Sequence, residues 1–195
     1  MFLRHRRTVR TITWGYCMLL LVLGALMYGN REALQERENR YTFMFVEKMS
    51  QRLPDNAILH FQLAGLYYEI KLFSAAEKEY RWAIELKPDF YEACNNLAWL
   101  YATCEDQSLR NYSEALRLAR KAVSLANLPY ILDTLAECLY VNGLYRQAVI
   151  AAEEALYAAD PKEREHYEKQ LDKYRAAYGA DHTPMLYDNG RTIAL

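Results

Sequence analysis

Four histidines and four cysteines are the residues of this chain best suited to metal, proton-transfer or thiol chemistry, and their spacing assembles none of it. His5, His60, His166 and His182 are scattered, with no H-E-x-x-H pair to set two imidazoles on one helix face around a metal. Nor is there a C-x-x-C, a glycine-rich dinucleotide turn or a phosphate loop. His166 beside Glu165 and Glu168 has the composition of a metal or acid–base site, but it falls on the charged face of an expected helix, where it reads as a solvated side chain. Cys17 lies in an apolar run. Cys94 and Cys104 are ten residues apart on one expected helix, about 15 Å and beyond disulfide reach. Pairing of Cys138 with Cys104 stays open, but small buried thiols are the expected state. The chain therefore reads as a non-enzyme, with no catalytic residue, metal or cofactor.

With chemistry set aside, composition points to a binding protein built from helices. Of 195 residues 52% are apolar and 25% charged, a globular balance. The net charge of −1 hides an asymmetry, because residues 1–30 carry four arginines and no acid, which leaves −5 for the remainder. A basic nucleic-acid-binding domain is thereby disfavoured. Seven glycines, five prolines and little strand-like alternation favour an all-α fold.

After a basic tail at 1–10, residues 11–30 form an uncharged run whose length as a helix matches a bilayer core of about 30 Å. Trp14, Tyr16 and Tyr28 stand near its two ends, where amphipathic rings prefer the headgroup level. The run is long for the apolar part of a cleaved leader and lacks a good small-x-small site, so it is expected to be an uncleaved signal anchor. Arg4, Arg6, Arg7 and Arg10 precede it, against Arg31, Arg37 and Arg40 just after it. This bias favours a cytoplasmic N-terminus, with the main domain on the periplasmic or another exoplasmic side of an inner or cytoplasmic membrane.

Past the anchor the sequence repeats. Prolines at 54, 88, 129 and 161 are spaced by 34, 41 and 32 residues. Leu63-Ala64 with Tyr67 returns as Leu97-Ala98 with Tyr101 and again as Leu135-Ala136 with Leu139. Each group is followed by small or aromatic residues at i, i+4 and i+7, namely Ala76, Tyr80 and Ala83, then Ala115, Ala119 and Ala122, then Ala148, Ala152 and Ala155. Two antiparallel helices per unit explain both patterns, with alanines permitting close approach. These residues resemble the tetratricopeptide repeat, with its leucine, small residue and tyrosine on the first helix and its alanine, aromatic, alanine and proline on the second. The resemblance implies a right-handed superhelix of about three helix pairs over 54–160, with units at 57–90, 91–128 and 129–160. The second unit carries extra residues at 105–111, expected to form a surface loop. Asn111 with Glu114, and Ser74 with Glu77, have the spacing of helix N-caps with a reciprocal acid. Residues 31–53 are expected to hold a half-repeat whose helix runs from about Glu36 to Arg52. Asp160-Pro161-Lys162-Glu163 opens a capping helix at 161–179, closed by Gly179 and bearing a stripe of Tyr167, Leu171, Tyr174 and Tyr178. Residues 180–195 show no periodicity and are expected to be a loose tail.

The signature residues serve packing. Function is sought instead on the wall formed by the first helices, where the resemblance implies binding of a protein or peptide. Transferred onto this sequence, the groove residues are Phe61, Tyr68, Asn95, Asn96, Trp99, Tyr130, Asp133, Glu137 and Tyr140. Aromatic faces would supply apolar area and the asparagines would hold an extended backbone. Family members that capture an acidic C-terminal peptide use lysine and arginine on this wall, whereas Phe61, Asn95, Asp133 and Glu137 stand at the corresponding places here. A neutral or basic partner is therefore expected. The leading reading is a membrane-anchored scaffold or adaptor that assists assembly of an envelope complex. A self-associating structural subunit, or a cytosol-facing peptide receptor, is the alternative.

Overall fold

The computed structural model describes residues 40–181, 186–188 and 191–193. The uncharged run at 11–30 and the start of the half-repeat lie outside them. Among the described residues no helix is long and apolar enough to cross a membrane. The chain divides into two compact units, Met1–Met49 and Ser50–Leu195. Residues 40–52 are helical (α1).

Within the second unit, three helix pairs follow one another: α2 (Ala57–Glu69) with α3 (Phe73–Leu86), α4 (Tyr91–Thr103) with α5 (Tyr112–Leu125), and α6 (Pro129–Val141) with α7 (Tyr145–Ala158). A final helix, α8 (Arg164–Asp181), packs on α7 and reaches α6. Each helix adjoins the next, and α4 also meets α6, which brings first helices side by side. The alanine spacing explains the closeness, because Ala76, Ala83, Ala115, Ala119, Ala122, Ala148 and Ala155 are all fully buried. Leu97, Leu100, Tyr101, Leu118 and Ile131 fill the space left between these backbones. The second core continues over Leu139 and Ala152 to Leu171 and Tyr174 of α8.

Local signals account for the helix starts, with some differences from the sequence expectation. Asn56 Oδ1 accepts from the N–H groups of Ile58 and Leu59 at 3.0 and 3.2 Å, Asn111 Oδ1 accepts from that of Glu114, and Pro129 takes the first turn of α6. Ser74 does not cap α3. The helix begins one residue before it, and Glu77 turns away to accept from Tyr101 Oη at 2.7 Å and Arg81 Nε at 3.1 Å. Asp160 closes a turn by accepting from the Lys162 N–H, so α8 opens at Arg164 instead of Pro161. Gly179 sits inside α8, where nothing crowds it, and the helix continues to Asp181. The insertion carries a short 3-10 turn at Gln107–Leu109, capped by Asp106. The tail expected to be loose instead pairs Leu186–Asp188 (β1) antiparallel with Arg191–Ile193 (β2). The Asn189-Gly190 dipeptide between them is a hairpin signal that outweighs the lack of longer periodicity.

The turns closing α2 and α6 are equivalent. In each, two successive N–H groups bond back to the last helical carbonyls: Lys71 to Tyr68 and Leu72 to Tyr67, Gly143 to Tyr140 and Leu144 to Leu139. Gly143 has φ +74°, but the same place in the first unit is Lys71 at φ +61°. A side chain there is strained. Its ion pair with Glu105 at 3.0 Å is largely exposed and offsets little. Lys71→Gly is expected to raise stability by about 0.5–1 kcal/mol, checked by urea unfolding. A loss would show that the exposed pair outweighs the backbone term.

Candidate functional site

Three first helices contribute to one cleft of about 450 Å³: Tyr68 from α2, Asn95, Asn96 and Trp99 from α4, and Tyr130 and Asp133 from α6. Six of the nine residues assigned from sequence are thus brought together. The α4 trio meets because positions three and four apart share a helix face. Glu69 lies beside Tyr68, Tyr80 of α3 contributes to the floor, and His166 of α8 contributes to the far wall. A second cleft, of about 330 Å³, shares Tyr68, Glu69 and Trp99 and continues to Phe73 and Glu105.

The polar floor is a chain of donors. Asn95, 5% exposed, donates from Nδ2 to Asn96 Oδ1 at 3.3 Å, and Asn96 donates from Nδ2 to Tyr80 Oη at 3.4 Å. Burial pushes the Tyr80 hydroxyl above its ordinary pKa. Asp133 Oδ2 lies 3.2 Å from His166 Nε2. Burial pushes the Asp133 carboxyl up, and the facing His166 only partly opposes this. Two buried acceptors, Asn95 Oδ1 and Asp133 Oδ1, have no hydrogen-bond partner.

The other three assigned residues are placed elsewhere. Phe61 is half-buried between the rings of Tyr80 on α3 and Phe90 just before α4, at 5.9 and 4.9 Å, and serves packing rather than the cleft. Glu137 is buried, with its carboxylate held by Lys173 and by Tyr174 Oη. Tyr140 packs on Tyr145 and Tyr174 beneath the Lys173 ammonium. His166 is exposed, as its reading as a solvated side chain expects, yet it also lines the cleft, as does Tyr80, which the sequence reading assigned to packing alone. A signal for His166 was present, since it lies 33 residues beyond Asp133, about one repeat length, and α8 follows α7 as a first helix would.

Cys94, Cys104 and Cys138 are free and buried, and burial raises all three thiols, that of Cys138 to about 12. Among the described residues no group of histidine, cysteine and acidic side chains could hold a metal ion.

No protein-family model matches the chain, and no curated protein matches it in sequence. Solved structures do match. PilW, described as a widely conserved type IV pilus biogenesis factor, is 19% identical with a TM-score of 0.57 over 80% of this chain and 75% of its own. MamA 41-end from Desulfovibrio magneticus RS-1 is 10% identical, with a TM-score of 0.56 over 78% of this chain and 92% of its own. A MamA RS-1 ArsTM double mutant, also 10% identical, gives 0.55 over 75% and 88%. These neighbours are all-helical and tetratricopeptide-like, and the chain shares that fold.

Proposed function

We propose that the chain is a single-pass, N-terminally anchored tetratricopeptide scaffold that holds a neutral or basic protein or peptide beside the membrane, assisting assembly of an envelope complex. The observation that carries the binding role is the convergence of Tyr68, Asn95, Asn96, Trp99, Tyr130 and Asp133, from three separate helices, on one cleft. Packing alone does not require an asparagine pair and half-buried aromatics to meet there, whereas an extended ligand uses both. The uncharged run at 11–30 supports the anchor, and the arginines before it support repeats on the periplasmic or another exoplasmic side. The likeness to PilW, a pilus biogenesis factor, supports an assembly setting by analogy of fold.

The test is affinity capture from gently solubilised native membranes with the wild type and with Trp99→Ala, whose fold is checked by circular dichroism. Trp99 is half-buried on the cleft wall, so the variant is expected to fold and to lose its partner by about tenfold or more in affinity. Recovery of the same partners with both proteins would remove the cleft from the binding role.

A further inference from the structure

The cleft holds two acceptor oxygens that the fold leaves without donors. Asn95 is nineteen-twentieths buried, and its Nδ2 is engaged by Asn96, so its orphan atom is the oxygen. On the neighbouring helix Asp133 offers a second orphan oxygen, its other oxygen being taken by His166. Buried acceptors are nearly always paired, and leaving one unpaired costs stability. The same cleft is lined by the aromatic side chains of Tyr68, Trp99 and Tyr130 and by Glu69, with no lysine or arginine in the lining. Lys173, whose charge reaches Asp133, is held by Glu137, and Lys71 of the adjoining cleft pairs with Glu105.

Missing donors, aromatic walls and a negative balance together describe a receptor for a planar cation. A guanidinium carries five N–H groups in a flat fork and stacks on aromatic faces, whereas an ammonium is a compact, strongly hydrated point. We propose that this cleft receives one basic side chain of the bound partner, arginine in preference to lysine, with Asn95 and Asp133 accepting its N–H groups and Trp99 and Tyr130 flanking its plane. The proposal rests on the reading of the cleft as the partner groove and names the residue recognised there. Both oxygens are sealed from solvent, so entry of the side chain requires the cleft to open, and the element placed to yield is the exposed His166 ring, held to the other Asp133 oxygen by one hydrogen bond of 3.2 Å. His166 holds the place of the cation at Asp133.

The test titrates the full chain in detergent micelles with millimolar alanine pentapeptides carrying a central arginine, lysine or norleucine, and follows the Trp99 indole and His166 ring by NMR. The arginine peptide is expected to shift both signals and to bind at least about tenfold tighter than the norleucine peptide, with lysine between them. Asp133→Asn is expected to abolish that advantage without lowering the melting temperature, because it removes a desolvated carboxylate. Glu69→Gln, a change on the exposed rim that leaves the packing alone, is expected to weaken the arginine peptide by about two- to threefold. Equal binding of arginine and norleucine peptides, or an Asp133→Asn variant that binds arginine as well as the wild type, overturns the basic pocket and leaves the groove standing. If no peptide moves either signal the pocket is overturned too, and the groove falls with it only if Trp99→Ala also keeps every captured partner.

Discussion

Tyr174→Ala is expected to lower the unfolding free energy by about 3–5 kcal/mol. Helix α8 is anchored on one side only, by a stripe of Tyr167, Leu171 and Tyr174, while its other faces are exposed and mostly charged. Tyr174 is 1% exposed, its ring centroid lies 5.5 Å from that of Tyr140, and its hydroxyl donates to Glu137 Oε2 at 2.8 Å. Truncation to alanine opens a cavity between α6, α7 and α8, and it also strips the buried Glu137 carboxylate of one of its two donors, leaving Lys173 alone. Tyr174→Phe separates the two terms. It keeps the ring and removes the hydroxyl, for an expected cost of about 1–2 kcal/mol. Urea unfolding of the three proteins checks the order. If the phenylalanine variant falls as far as the alanine variant, the Glu137 bond rather than ring packing holds α8 in place.

That bond also bears on how much of the molecule was legible beforehand. Helix pairs were readable because alanine at i, i+4 and i+7 reports a close contact through spacing alone, and Ala115, Ala119 and Ala122 are buried as their spacing requires. Which wall residues face the cleft was less legible, because periodicity gives a face and not the neighbour opposite it. Glu137 lies on the expected wall, but a lysine and a tyrosine 36 and 37 residues further on claim its carboxylate. Phe61 likewise lies on that wall but meets Phe90, at the end of the turn after α3, which no pattern within one helix could reveal. His166 is exposed as its charged neighbours Glu165 and Glu168 suggest, but the hydrogen bond from its ring to Asp133 across the α6–α8 contact was not legible from those neighbours. Short-range cues misled where a competing partner was closer. Glu77 has the sequence position of a reciprocal capping acid for Ser74 and instead accepts from Tyr101 Oη and Arg81, because a buried hydroxyl leaves the stronger demand for an acceptor.

Ala115→Leu is expected to destabilise the chain by about 1–3 kcal/mol through overpacking. Ala115 is 0% exposed and belongs to the same buried cluster as Leu97, Ala98 and Tyr101 of α4, so the added carbons have no route to solvent. Relief requires α5 to move away from α4. Because α4 carries Asn95 and Trp99 on its other side, such movement reaches the cleft only if the helices shift as rigid bodies. Close packing favours that over local bending. The variant is therefore expected to lose partner affinity in proportion to its lost stability, although position 115 does not line the cleft. The measurement pairs a thermal melt with capture of the partner well below the melting temperature, using Ala176→Leu on the exposed side of α8 as a control expected within about 0.5 kcal/mol of wild type. Full stability in Ala115→Leu would mean that the α4–α5 contact has room the burial does not suggest. Lost stability with undiminished capture would show α4 bending around the leucine, with its cleft-side residues held by the contacts of α4 to α3 and α6 rather than by the helix pair behind them.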